Sequence, residues 1–472
     1  MTLPPYDPAY DPAQPPPPPV IDYASPDDAM YADDMFDRDM AGQIMLNADF
    51  RDIFNLCQSS KRFSRVCEHD NFWRLRYLKD YRNDAPTDLP TGNWKEAYYR
   101  RHQGKLYMFG ANNKGQLGTG DLDDRRSPTH VGWLTDVVQF SCGHAHTGVV
   151  TGDGSLYMFG DNSKGQLGLG LNPQYTNHVA IPTRVRSLGH VVKVSCGNSY
   201  TGAVTRDGTL WMCGHNSFGQ LGTGLAIGGT VDIFEEVPSL TNVVDVSCGL
   251  DHTGVITADG KLYMIGSNED GKLGNNSRAE MYAYPVEIKS LINVAKVSCG
   301  YNHTAVLTKD GQLYTFGNNY KGQLGTHPSR VSGFKSIVPA KVEVNAFTYV
   351  VDVSCGDEYT GVITADGRLF MFGLNTYNRF GMNEGRTNAQ RAASAGVRGR
   401  VYHQPSAVER LRNNAVRVSC SEYNTGVIDK YGHVHMFGDD TNGELVEDAL
   451  LYEARMISCG QRHTGVIARV QQ

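Results

Sequence analysis

The sequence predicts an all-β fold, a closed seven-bladed β-propeller, with a small α-helical domain ahead of it. Three observations predict it. A unit built around Ser-Cys recurs seven times, with its cysteine at 142, 196, 248, 299, 355, 420 and 459. Each unit carries two apolar, β-branched runs of about five residues around a turn dipeptide, which is the pattern of adjacent antiparallel strands. The repeat also ends out of phase with its start, so its two ends must share one blade.

The unit reads Ser-Cys-Gly-x-x-(His/Tyr)-Thr-Gly-Val-(Ile/Val)-Thr-x-Asp-Gly-x-Leu-(Tyr/Trp)-Met-Phe-Gly-x-Asn-x-x-Gly-Gln-Leu-Gly. The glycine closing its Met-Phe-Gly strand stands at 110, 160, 214, 266, 317, 373 and 438, and each of the first six cysteines precedes the next such glycine by 18 residues. Asp153-Gly154, Asp207-Gly208, Asp259-Gly260, Asp310-Gly311 and Asp366-Gly367 are expected to supply the positive φ values of a tight hairpin. The unit that starts at Cys420 has Tyr431-Gly432 there, a weaker turn. Glycines such as Gly115, Gly118, Gly165 and Gly168 mark places where the backbone must bend or pack closely. Successive units of about 50 residues, four strands each, are the signature of a propeller.

The ends of the repeat predict closure. The Leu-Tyr-Met strand due 14 residues after Cys459 would fall at position 473, past Gln472, while Leu106-Tyr107-Met108-Phe109 has no Ser-Cys unit before it. The strand at 105–109 is therefore expected to complete the last blade, which removes the free edges of an open sheet.

Ahead of the propeller, assigned to 104–472, lie two other regions. Residues 1–34 are rich in Pro (Pro15 to Pro19 among them) and Asp. They are expected to stay disordered with a polyproline-II bias, as a ligand for an aromatic groove or a solubilising tail. Residues 35–101 space apolar side chains by three and four with charges between them, the pattern of short amphipathic helices. The seven Asp at 7, 11, 22, 27, 28, 33 and 34 exceed the net charge of −6, leaving about +1 for the remainder. A nearly neutral body offers no general footprint for nucleic acid. No apolar run approaches the roughly 20 residues of a membrane-spanning helix, and the N-terminus lacks the regions of a secretory signal.

The residues that look chemical read as architecture. No CxxC pair occurs among the ten cysteines, and seven of them hold equivalent positions facing different neighbours. A disulfide needs Cα atoms within about 7 Å, so these are expected to be small, buried, reduced thiols of a cytoplasmic or nuclear protein. His146, His252, His303 and His463 share one slot with Tyr200, Tyr359 and Asn424, and a Thr follows in all seven units. A catalytic histidine has one geometry and one set of partners, whereas a slot repeated around a ring is structural. The Gly-rich segment lacks the Gly-Lys-Ser/Thr ending of a phosphate loop and no helix follows it. No catalytic residue, metal site or cofactor is expected.

Function is expected where the units diverge. The two residues after Cys-Gly differ in every unit and should cluster on one face near the channel; the candidates are His144, Asn198, Asp251, Tyr301, Asp357, Glu358, Glu422, Tyr423 and Arg462. A second candidate is a long insertion in the sixth blade, about 382–403, carrying Arg386, Arg391, Arg398 and Arg400 against one acid, Glu384.

Residues 104–472 resemble the RCC1 repeat family, whose fingerprint is the unit quoted above. The segment 36–81 resembles an F-box, through Asp52-Ile53-Phe54-Asn55-Leu56-Cys57, Ser60-Lys61-Arg62-Phe63-Ser64-Arg65-Val66-Cys67 and Phe72-Trp73-Arg74-Leu75. The family's opening Leu-Pro-x-Glu aligns with Phe36-Asp37-Arg38-Asp39, where the Pro is absent. Together the resemblances imply a binding protein rather than an enzyme. Its helices would dock on Skp1 through Ile44, Ile53, Phe54, Leu56, Phe63, Val66, Phe72 and Trp73, and its propeller face would recruit a substrate to a cullin-based ubiquitin ligase. The fusion is similar in style to F-box proteins of large DNA viruses, which would place it in the host cell. The alternatives are guanine-nucleotide exchange on a Ran-like GTPase, the founding activity of the RCC1 family, and a structural or scaffold role in a virion. An RCC1-type photoreceptor would need clustered tryptophans, and only Trp133 and Trp211 lie in the propeller.

Overall fold

The computed structural model describes residues 72–74, 94 and 105–469, apart from 173, 175, 225–226, 327–333, 344–348, 383–398, 440 and 442–450. The chain forms two compact units, Met1–His102 and Gln103–Gln472. In the first, 72–74 form a helical turn in which Phe72 and Trp73 are buried edge to face, ring centroids 4.9 Å apart. The expectations for 1–34 and for the other helices of 35–101 lie outside the described residues.

The second unit is a seven-bladed propeller. In blade 1 the strand Lys105–Gly110 lies between Arg125–His130 and His463–Arg469, with Tyr452–Cys459 beyond. The register sets Leu106 opposite Ile467 and Phe109 opposite Thr464, so the first strand of the propeller pairs with its last. Blades 2 to 6 have four antiparallel strands each. Their inner strands are Val137–Cys142, Val191–Cys196, Val243–Cys248, Val294–Cys299 and Val350–Cys355. Blade 7 shows three strands among the described residues, starting with Ala415–Cys420. Each inner strand touches the inner strand of the next blade, and Tyr452–Cys459 touches Val137–Cys142, which completes the ring.

The Ser-Cys pair is what the ring is tied with. In all seven junctions the serine hydroxyl accepts a hydrogen bond from the cysteine amide of the following blade, at 2.9–3.0 Å. An inner strand has one edge with no sheet partner, and this bond satisfies an amide there that would otherwise be costly to bury. The cysteine side chain turns into the packing between blades. All seven thiols are buried and free of disulfides. Burial pushes the Cys142 thiol up to about 12 and raises the other six, so they are inert as nucleophiles.

The hairpin turn differs from the one expected. Only the glycine has positive φ, as at Gly154 (+79°) and Gly208 (+82°). The aspartate instead works as an acceptor: Asp153 Oδ1 takes the Thr151 hydroxyl at 2.6 Å and the Ser155 amide at 3.0 Å. The same capping recurs at Asp207, so Asp is selected by its side chain rather than by its tolerance of a left-handed backbone. After the third strand, the Gly-x-Asn-x-x-Gly loop is folded by its asparagine. Asn112 Oδ1 accepts the Leu117 amide at 2.9 Å, and the same bond recurs from Asn162 to Asn375. Gly115 has φ +75° and stands where a Cβ would come within 2.5 Å of Ala180 Cα in the outer strand of blade 2, so blade-to-blade contact requires glycine there.

Candidate docking face

The turn from inner to second strand presents the variable doublet. Its first residue donates its amide to the carbonyl at the corresponding turn of the next blade, as His144 to Gly197 (3.1 Å), Asn198 to Gly249 (3.1 Å) and Gln461 to Gly143 (3.3 Å). Its second residue accepts, at the carbonyl, the amide that follows the Met-Phe-Gly strand: Ala145 from Asp161, Glu358 from Leu374, Arg462 from Ala111. Doublets and Gly-x-Asn-x-x-Gly loops therefore share one face, held by main-chain bonds whatever their side chains are.

Beneath this face the histidine slot is internal wiring. His146, His252, His303 and His463 are buried, and each Nε2 meets the threonine hydroxyl of the next blade at 2.8–3.0 Å. Those hydroxyls in turn donate to main-chain carbonyls, as Thr147 to Gln116 at 2.8 Å and Thr201 to Gln166 at 2.7 Å. The imidazole must then donate through Nε2–H, and its burial favours the neutral form. Burial lowers His146 to about 4 and His303 and His463 to about 3, and His252 well below the usual range. Tyr200 and Tyr359 fill the slot by reaching further, to the carbonyls of His252 and Asn424 at 2.6 and 2.7 Å.

The candidate doublet residues divide. His144, Tyr301 and Arg462 are exposed; Asn198, Asp357, Glu358, Glu422 and Tyr423 are half-buried. Asp251 does not belong to the surface. It is buried against Lys272 Nζ at 2.6 Å, which also donates to Asn302 Oδ1 at 3.2 Å. Lys272 stands in the slot of the Gln of Gly-Gln-Leu-Gly, and its fully buried charge takes Asp251 as counter-ion. Of the insertion, Arg386, Arg391 and Arg398 lie outside the described residues. Arg400 is not in a loop: it opens the outer strand Arg400–Ala407, paired with Asn375, and lies over the Tyr402 ring at 5.0 Å. Of the F-box-like residues, Phe72 and Trp73 point into packing, and Ile44, Ile53, Phe54, Leu56, Phe63 and Val66 lie outside the described residues.

A cleft of about 290 Å³ opens on the face where blades 5, 6 and 7 meet, lined by Tyr301 and Tyr320 of blade 5, Asp357 and Glu358 of blade 6 and Glu422 of blade 7. Asn318 and Gln323 also line it, and Asn318 Oδ1 accepts from Gln323 Nε2 at 3.0 Å. Burial first, then Glu358 and Glu422, pushes Asp357 up to about 7, against the opposing pull of Arg379. Arg379 was not foreseen from the sequence. It is 2% exposed, stacks over the Tyr359 ring at 4.4 Å, and donates to the carbonyls of Leu374 (2.9 Å) and Glu422. Like Lys272 it replaces the Gln of its unit, and departure from Gln in that repeated slot, which Glu444 also shows, is the signal that marks both. Tyr320 and its stacked neighbour Phe334, 4.9 Å away, are also additions. Among the described residues no group of three or more His, Cys, Asp or Glu is placed to hold a metal ion, and no helix is long and apolar enough to cross a membrane.

A sealed ring whose interior repeats and whose one face varies is a scaffold for binding: the propeller is a protein-interaction module. The family model described as the RCC1-like domain matches residues 190–469, and the regulator of chromosome condensation (RCC1) repeat matches 103–150 and 153–204. The chain belongs to the RCC1-like propeller family. It is 29% identical over 345 residues to the ultraviolet-B receptor UVR8 of Arabidopsis thaliana, covering 71% of this chain and 73% of that protein. It is 31% identical over 257 residues to the E3 ubiquitin-protein ligase HERC2 of Homo sapiens, covering 53% of this chain and 5% of that one. The chain thus spans most of the plant protein but a small part of the ligase. Among solved structures, Prp20p of Saccharomyces cerevisiae matches with a TM-score of 0.66 at 16% identity, covering 80% of this chain and 95% of that one, a likeness of fold.

Proposed function

We propose that the chain is a substrate adaptor of a Skp1–cullin ubiquitin ligase, in which the F-box-like segment engages the ligase and the doublet face engages the protein to be modified. The observation that carries the recruiting half is the cleft, where three carboxylates and two tyrosines converge on a face whose backbone is otherwise uniform. Aromatic side chains on a rigid rim are the usual anchors of protein interfaces. The ligase half is supported by the F-box-like pattern at 36–81 and by the similarity of the propeller to a protein named an E3 ubiquitin ligase.

The test is affinity purification of the full chain followed by mass spectrometry. Skp1 and a cullin are expected to co-purify, and Phe54→Ala with Phe63→Ala to lose both, because an ordinary interface of roughly 800 Å² per partner rests on a few buried aromatics. Recovery of neither protein with the intact chain would refute the adaptor reading.

A further inference from the structure

We propose that the cleft between blades 5, 6 and 7 captures an arginine or lysine side chain presented by a partner protein, its cationic head among Asp357, Glu358 and Glu422 and its stem against Tyr301 and Tyr320. The proposal rests on the reading that this face recruits protein, and it names the chemistry of what is recruited.

Charge is the first ground. Three carboxylates share one cleft, and none of them forms an ion pair among the described residues. Bringing like charges together in a half-buried site is unfavourable until a cation enters. The backbone carrying the acids is fixed, the carbonyl of Glu358 accepting the Leu374 amide and that of Glu422 the Arg379 guanidinium, and the Glu422 carboxylate itself accepts from Gln461 Nε2.

The second ground is independent of the acids and lies in the aromatic walls. Tyr320 (59% exposed) and Phe334 (56% exposed) stack in the open beside the cleft, and Tyr301 is exposed too. Such rings attract a guanidinium or ammonium group over their faces and pack against its methylenes. Elsewhere on the face stand cations, exposed Lys164 and, over the Tyr423 ring at 5.1 Å, Arg462. A partner that sets a basic residue in the cleft and an acid against those cations would dock in one orientation.

The test is fluorescence anisotropy of the full chain with a rhodamine-labelled peptide, Gly-Ser-Arg-Gly-Arg-Ser-Gly, and its citrulline counterpart, which keeps the shape and loses the charge. Saturable binding of the arginine peptide is expected, weakened roughly tenfold or more in Asp357→Asn/Glu422→Gln, as for loss of hydrogen bonds to charged groups. Glu236→Gln, at the far end of blade 3, should leave it unchanged. Equal binding of the citrulline peptide, no saturation, or no change in the double variant would overturn the proposal. The same double variant separates the two readings. If a protein captured through the face, and lost with Tyr423→Ala/Arg462→Glu, is kept by Asp357→Asn/Glu422→Gln and the peptide does not bind, the cleft chemistry fails and recruitment stands. If the peptide binds as expected while no capture depends on the face, recruitment fails and the cleft chemistry stands.

Discussion

The Ser458 hydroxyl accepts the Cys142 amide at 2.9 Å, joining residues 316 apart in the chain by the same bond that joins every other pair of neighbouring blades. The closing junction is thus built like the internal ones. Ser458→Ala leaves a buried amide unsatisfied and should cost about 1–3 kcal/mol in urea unfolding. Ser247→Ala, which frees the Cys299 amide, should cost the same. A far larger loss for Ser458→Ala would mean that the seam is a special weak point.

Closure also depends on Phe109, fully buried among Ile457 and Val466 in the shared blade. Phe109→Ala should destabilise the propeller by about 3–5 kcal/mol. Hydrogen exchange should then quicken first in His463–Arg469, the strand paired with Lys105–Gly110. Unchanged protection there would contradict the shared blade.

The propeller was legible because closure imposes one hydrogen-bonding scheme on every blade, and a scheme repeated seven times leaves Ser-Cys, His/Tyr-Thr and Gly-x-Asn at fixed intervals. The face was harder to read. Asp251 occupies a doublet slot, yet its burial is decided by Lys272, and the pairing of a buried acid with a base 21 residues on is a fact of tertiary structure. Arg379 is visible only as a departure from Gln, with nothing nearby to say that its charge would lie under Glu422. Arg400 shows the opposite error: a cluster of arginines looked like a loop, whereas the alternation of the following residues already belongs to a strand.

The buried histidines set the acid limit of the fold. Folded-state values of about 3 to 4 lie below the ordinary value of about 6.5, so the unfolded chain binds protons first. Stability is therefore full above pH 6.5 and falls as the pH drops toward 4, by about 1.4 kcal/mol per pH unit for each histidine. His303→Tyr, which puts into blade 5 the residue used at positions 200 and 359, removes one titrating group. The slope of unfolding free energy between pH 6 and 4.5 should flatten by one proton. A slope that stays the same would show that His303 is already protonated in the folded chain.

Asp357 runs the other way. Burial, Glu358 and Glu422 push it up to about 7, above the ordinary carboxylate value of about 3.9, so the folded chain holds this proton more tightly than the unfolded one. Its contribution favours folding below about pH 4, declines as the pH rises toward 7, and is lost above. Asp357→Asn, which cannot ionise, should raise the melting temperature relative to the parent at pH 8 and leave it nearly unchanged at pH 4. Binding of the arginine peptide should move oppositely in the parent chain, tightening between pH 5.5 and 8 as the Asp357 carboxyl becomes charged. In Asp357→Asn the same interval should bring little change, since the group that titrates there is gone. A parent chain whose affinity is flat across that interval, or a variant that keeps the full pH response, would assign the titration to another group and leave Asp357 outside the cleft's electrostatics.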